Sequence, residues 1–110
     1  MSASPDWRIL CALAEVPPGL SHVAWLDDLP VLVVNLDGTI YALEDRCSHE
    51  DYELSSGAVD AAAGTIECVL HGAKFDLRSG EALCAPAYEP VRSFPAKVEQ
   101  DLVWVQVPTA

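Results

Sequence analysis

The stretch PVLVVNLDGTIYALE, residues 30–44, restricts the fold more than any other part of the chain. Two apolar, β-branched runs, residues 31–36 and 39–43, flank the dipeptide Asp37-Gly38. Asp-Gly tolerates the positive φ angles that a two-residue hairpin demands, so the two runs are predicted to be antiparallel partners. A second such arrangement closes the chain, where FPAKVE and LVWVQV flank Gln100-Asp101. Upstream, WRILCAL (residues 7–13) and SHVAWL (Ser21–Leu26) read as strands, separated by the breaker Pro17-Pro18-Gly19. No segment carries convincing helical periodicity, and DAAAG is too short to hold a helix alone. Short strands at this spacing imply an all-β antiparallel sandwich or partly open barrel.

The middle of the chain has a different texture. From Arg46 to Pro86, the turn signals SSG, AAAG, RSG and CAPA surround two short strand candidates, GTIECVL and AKFDL. The 110 residues therefore read as a single domain, 1–110. A β framework of about residues 1–45 and 86–110 carries a loop-rich insertion of about residues 46–85. Loops mounted on a rigid scaffold are where binding residues are usually presented, so function is expected in the insertion.

Composition narrows the function classes. Seventeen acidic residues against six basic ones give a formal net charge of -11, which argues against nucleic acid or an anionic membrane surface as partner. The same charge fits docking to a basic patch on another protein. No stretch approaches the roughly 18 apolar residues that span a membrane. The apolar run at residues 9–14 follows Asp6 rather than a basic region, so it reads as a first strand and not a signal peptide. The expected setting is the cytoplasm, where thiols stay reduced; the four cysteines then point to metal binding or burial rather than disulfides.

Two of those cysteines come paired with histidines: Cys47-x-His49 and Cys68-x-x-His71, with 18 residues between His49 and Cys68. Such spacings let both side chains of a pair project from one tight loop, and Gly72 directly after His71 permits a close approach or unusual backbone angle. Thiolates with imidazoles suit zinc or iron–sulfur chemistry and exclude calcium and magnesium. Cys-x-His is unusual as a structural zinc knuckle. It fits better where each loop gives one ligand to each of two irons, as in a [2Fe–2S] centre held by two cysteines and two histidines.

The pattern Cys47-x-His49…Cys68-x-x-His71-Gly72, set between two strand frameworks over the whole chain, resembles the small Rieske-type ferredoxins. That resemblance implies a Rieske-like antiparallel β-sandwich and one Rieske [2Fe–2S] cluster per chain. It further implies that Cys47 and Cys68 hold the buried inner iron and His49 and His71 the outer iron near the surface. The stretch around Cys84 and Pro86 takes the place of a third, covering loop. The implied role is to pass single electrons, as a monomer, from an NAD(P)H-dependent flavin reductase to a terminal non-haem iron oxygenase.

High-potential Rieske proteins carry an extra cysteine in each cluster loop, and a serine and a tyrosine whose hydroxyls donate to sulfur. This chain has no such cysteines, and Ala73 and Phe75 stand at the hydroxyl positions. Missing donors disfavour the reduced cluster. Six carboxylates (Glu44, Asp45, Glu50, Asp51, Glu53, Asp60) against Arg46 alone push the same way. The expected potential is about −150 mV, the low end of the Rieske range.

Two alternatives keep the ligands but change the role: a Rieske-like small subunit of a larger reductase such as nitrite reductase, and a zinc-stabilised interaction module. The chain itself lacks a Gly-x-Ser-x-Gly elbow, a phosphate-cradling loop and a dinucleotide fingerprint, so it reads as a carrier and not an enzyme. Cys11 reads as a small buried hydrophobe, Cys84 as packing near the cluster, and His22 as a surface residue without a cysteine partner. Trp7, Trp25 and Trp104 are expected in the core, with Lys74 and Arg78 solvated on either side of Phe75.

Overall fold

The computed structural model describes residues 7–46, 54–60, 62–68, 72–83 and 90–106. Its first four strands are β1 (Trp7–Ala12), β2 (Ser21–Leu26), β3 (Leu29–Leu36) and β4 (Thr39–Glu44). Three short strands follow, β5 (Ala58–Asp60), β6 (Thr65–Glu67) and β7 (Lys74–Asp76), and the last three are β8 (Ser93–Phe94), β9 (Ala96–Glu99) and β10 (Leu102–Gln106). Helical structure among the described residues is limited to 3-10 turns at Leu13–Glu15 and Leu54–Ser56. The strands form three antiparallel sheets, in the orders β1-β10-β9, β2-β3-β4-β8 and β5-β6-β7.

The hairpins follow from their turn residues. Asp37 (φ 54°) and Gly38 (φ 96°) both take the left-handed region, and β3 and β4 pair in unbroken register from Leu36↔Thr39 to Val31↔Glu44. Gln100 (φ 55°) and Asp101 (φ 61°) do the same between β9 and β10 without a glycine. A further two-residue connection, Asp27-Asp28, joins β2 to β3 through Leu26↔Leu29, with Asp27 at φ 57°. Sequence reasoning did not anticipate that third hairpin.

The apolar run of β3 is buried on both faces, and the period of two sorts its side chains. Leu32 and Val34 join Leu43, Leu54, Ile66, Phe75, Leu77 and Val91 in one core. Val31 and Val33 join Val16, Ile40, Phe94, Val103 and Val105 in the other. The four-stranded sheet is thus the middle layer, with the β5-β6-β7 sheet on one side and the β1-β10-β9 sheet on the other. Each large aliphatic side chain buried this way contributes roughly 1.5–3 kcal/mol.

Asn35 fixes the connection ahead of β2. Buried at the end of β3, its Nδ2 donates to the Val16 carbonyl at 2.8 Å while Oδ1 accepts the Gly38 N–H at 2.8 Å. Its own backbone bonds Gly19 and Leu20, so the Pro17-Pro18-Gly19 breaker is held against the hairpin. In β1 the register shifts between Ile9 and Cys11, a bulge that leaves Ile9 outward and turns Cys11 into the core.

The tryptophans depart from the expected core placement. Alternation along the edge strand β2 turns Leu26 inward and leaves Trp25 65% exposed. Trp7 and Trp104 are half-buried, with the Lys97 ammonium 4.4 Å and 6.0 Å from their ring centroids.

Candidate metal centre

The β6–β7 hairpin carries the second cysteine–histidine pair. Cys68 follows β6 directly; its N–H donates to the Ala73 carbonyl at 2.7 Å, and the Gly72 N–H donates back to the Cys68 carbonyl at 3.0 Å. The two bonds tie the ends of the loop together. Gly72 sits at φ 72°, and a Cβ added there would come 3.1 Å from Glu67 Oε2, so the left-handed angle accounts for a glycine at this position. Cys68 itself is 1% exposed, packed in the core with Leu54, Ile66, Ala73 and Phe75.

The first pair leaves from the end of β4. Asp45, only 8% exposed, accepts hydrogen bonds from the Ser55 N–H (2.7 Å) and the Ser55 hydroxyl (2.9 Å), while its N–H donates to the Pro30 carbonyl. This clamp joins the residue two before Cys47 to the 3-10 turn Leu54–Ser56. Next to it, the Glu44 carboxylate accepts from Arg92 Nε at 3.1 Å and lies 3.7 Å from Arg46 Nη1.

Arg92 revises the charge picture drawn from sequence, which set Arg46 alone against six carboxylates. It reaches Glu44 across 48 positions because β8 pairs with β4 at Leu43↔Ser93, a register no local signal announces. Asp60 is also engaged, accepting the Ala62 and Ala63 N–H groups at 3.1 Å and so building the turn after β5. Glu50, Asp51 and Glu53 lie outside the described residues.

The described residues on either side of 84–89 are pinned as well. Leu83 donates to the Lys74 carbonyl and Val91 to the Gly80 carbonyl, both at 2.8 Å, and Ala82 bridges Phe75. Of the expected site residues, Cys68 is therefore placed; Cys47, His49 and His71 lie outside the described residues, as does Cys84. Trp25 with Asp28, Pro30, Glu44, Asp45 and Arg46 lines an open groove of about 250 Å³ at the base of the first loop.

A thiol buried in an apolar shell at a hairpin loop is a donor for a soft metal centre held against the framework. No hydroxyl stands at Ala73 or Phe75, both fully buried beside it. The donor chemistry at Cys68 thus fits the inner iron of an iron–sulfur cluster.

Comparison with known proteins agrees. The chain matches the Rieske [2Fe-2S] domain over residues 6–95. It is 40% identical over 101 residues to the 3-phenylpropionate/cinnamic acid dioxygenase ferredoxin subunit of Escherichia coli (strain K12), spanning 91% of this chain and 92% of that protein. The ferredoxin of carbazole 1,9a-dioxygenase from Nocardioides aromaticivorans IC177 aligns with a TM-score of 0.86 at 30% identity, over 91% of this chain and 96% of that one. A chain from a complex of reduced oxygenase and oxidized ferredoxin in carbazole 1,9a-dioxygenase aligns with a TM-score of 0.81 at 30% identity, over 91% and 92%.

The chain belongs to the Rieske [2Fe-2S] domain family, and its cofactor is the Rieske-type cluster. Within that family it is an electron carrier of the ferredoxin-subunit type and not the catalytic oxygenase, since the match runs nearly end to end on both chains. The zinc-stabilised module allowed by ligand spacing alone gives way to this assignment. No helix among the described residues is long and apolar enough to cross a membrane.

Proposed function

We propose that the protein is a low-potential Rieske ferredoxin of a dioxygenase system, fed by an NAD(P)H-dependent flavin reductase and discharging to a terminal non-haem iron oxygenase. Cys47 and Cys68 hold the inner iron, His49 and His71 the outer iron. When bound, the cluster supplies a one-electron couple. The protein's own part is to fix the ligands, exclude water from the inner sulfurs and set the potential. The observation that carries this reading is the burial of Cys68 at the tied base of the β6–β7 loop, with hydroxyl-free Ala73 and Phe75 packed around it. With no donor from either position, the potential is set low, about −150 mV.

The division of labour follows: residues of about 1–45 and 86–110 form the framework, and about 46–85, which includes β5, β6 and β7, forms the cluster-binding part. A net charge of -11 supports rapid, salt-sensitive docking to basic faces by a monomeric cytoplasmic shuttle.

Iron analysis of single-ligand variants tests the ligand assignment. Cys47→Ala, His49→Ala, Cys68→Ala and His71→Ala are each expected to lose the cluster iron and its visible absorbance, while His22→Ala keeps both. A His71→Ala protein with full iron and an unaltered paramagnetic signal would overturn it.

A further inference from the structure

We propose that Cys11, Glu15 and His22 form a second metal site, separate from the cluster, that takes a borderline-soft divalent cation of the zinc class. One ligand atom from each of the three side chains lies within 4.8 Å of the other two. They come from three different elements: β1, the 3-10 turn Leu13–Glu15 and β2. Sulfur, carboxylate oxygen and imidazole nitrogen are the donor types of zinc sites, and a tetrahedral ion spaces them about 3.5 Å apart. The present separations, within 4.8 Å, exceed that value by at most about 1.3 Å. Three protein donors leave the fourth position to water.

The surroundings prepare the site. The β1 bulge turns Cys11 inward, where it is 8% exposed and shares a core with Val16, Leu26 and Val103. Glu15 Oε2 accepts the Ala12 N–H at 3.0 Å, which orients the carboxylate and leaves its other oxygen for an ion. Burial first, and the Glu15 carboxylate second, push the Cys11 thiol up from its ordinary value. A dication reverses that preference: it binds the thiolate, and one proton leaves the thiol for water. No redox change is involved.

The site is distinct from the cluster. Cys11 packs between the β1-β10-β9 and β2-β3-β4-β8 sheets, whereas Cys68 packs on the far face of the latter. An ion at this triad ties the first sheet to the start of β2 across the Pro17-Pro18-Gly19 breaker, so it stabilises the framework and leaves electron transfer alone. Sequence reasoning placed Cys11 in the core and left His22 without a cysteine partner; the Cys-x3-Glu-x6-His spacing matches no familiar motif, and only the fold brings the three together.

Tag-free holoprotein equilibrated with Zn2+ and desalted, then assayed for zinc and iron, tests the proposal. The expected result is about one zinc per chain in addition to unchanged cluster iron, a higher melting temperature and an unchanged cluster signal. His22→Ala and Glu15→Gln are each expected to weaken zinc binding at least about tenfold while keeping the cluster. Cys11→Ala should do the same. Because that residue lies in the core, the other two variants decide if it fails to fold. Zinc uptake that is absent, that displaces iron, or that is as tight in His22→Ala as in the parent protein overturns the proposal.

Discussion

Asp45 pins the end of β4 to the 3-10 turn Leu54–Ser56 by accepting two hydrogen bonds from Ser55, from a position with little access to water. Hydrogen bonds to a charged acceptor are worth about 1.5–3 kcal/mol, and removing the carboxylate leaves the Ser55 donors stranded. Asp45→Ala is therefore expected to lower unfolding stability by about 3 kcal/mol in a urea titration and to reduce iron content. Full iron with unchanged stability would show that the clamp is dispensable. Two glycines share a left-handed φ and differ in what an added Cβ would meet. Gly80→Ala puts a Cβ 2.0 Å from the Val91 carbonyl oxygen, a backbone atom, and is expected to prevent folding. Gly72→Ala meets only the end of the Glu67 side chain and pays mainly the left-handed angle, about 1–2 kcal/mol by denaturant unfolding. At this scale sequence was a partial guide. The special role of Gly72 was legible beside His71; Asp45 and Arg92 were not, because no local pattern marks Ser55 ten positions on as the partner of one or Glu44 48 positions back as that of the other.

Two hairpins were legible, Asp37-Gly38 through a dipeptide that tolerates positive φ and Gln100-Asp101 through its place between two apolar runs, whereas Asp27-Asp28 was not. Strand β5 escaped notice because three residues between turn signals give no period to read, and it forms through pairing with β6. Trp25 was misplaced for a related reason: alternation gives two faces, and composition alone does not say which face of an edge strand is covered. Phe75 in β7 and Ala73 just before it bear on the proposed potential. If the missing hydroxyls hold the potential down, then Phe75→Tyr or Ala73→Ser should raise it by about 50 mV, the equivalent of roughly 1 kcal/mol favouring the reduced cluster. Spectroelectrochemical titration of each variant against the parent reads the shift directly. A fall, or no change in either variant with the cluster intact, would remove β7 from the account.

Across the molecule, two cores share the β2-β3-β4-β8 sheet, so the face that buries Cys68 and the face that buries Cys11 are joined through one layer. The chain as a whole carries a formal net charge of -11, and reduction of its cluster adds one more negative charge. The proposed docking to basic partner faces makes encounter depend on ionic strength, with screening over about 8–10 Å at 0.10–0.15 M salt. The rate of reduction by a flavin reductase of such a system should fall steeply as salt is raised; a flat dependence in stopped-flow measurements would contradict electrostatic steering. The most direct test of the central claim is an anaerobic redox titration of the purified protein followed by electron paramagnetic resonance. A rhombic Rieske-type signal appearing with a midpoint near about −150 mV is the predicted result. The same signal at a midpoint well above zero would contradict the low-potential assignment, and no signal from folded, oxygen-protected protein would contradict the cluster itself.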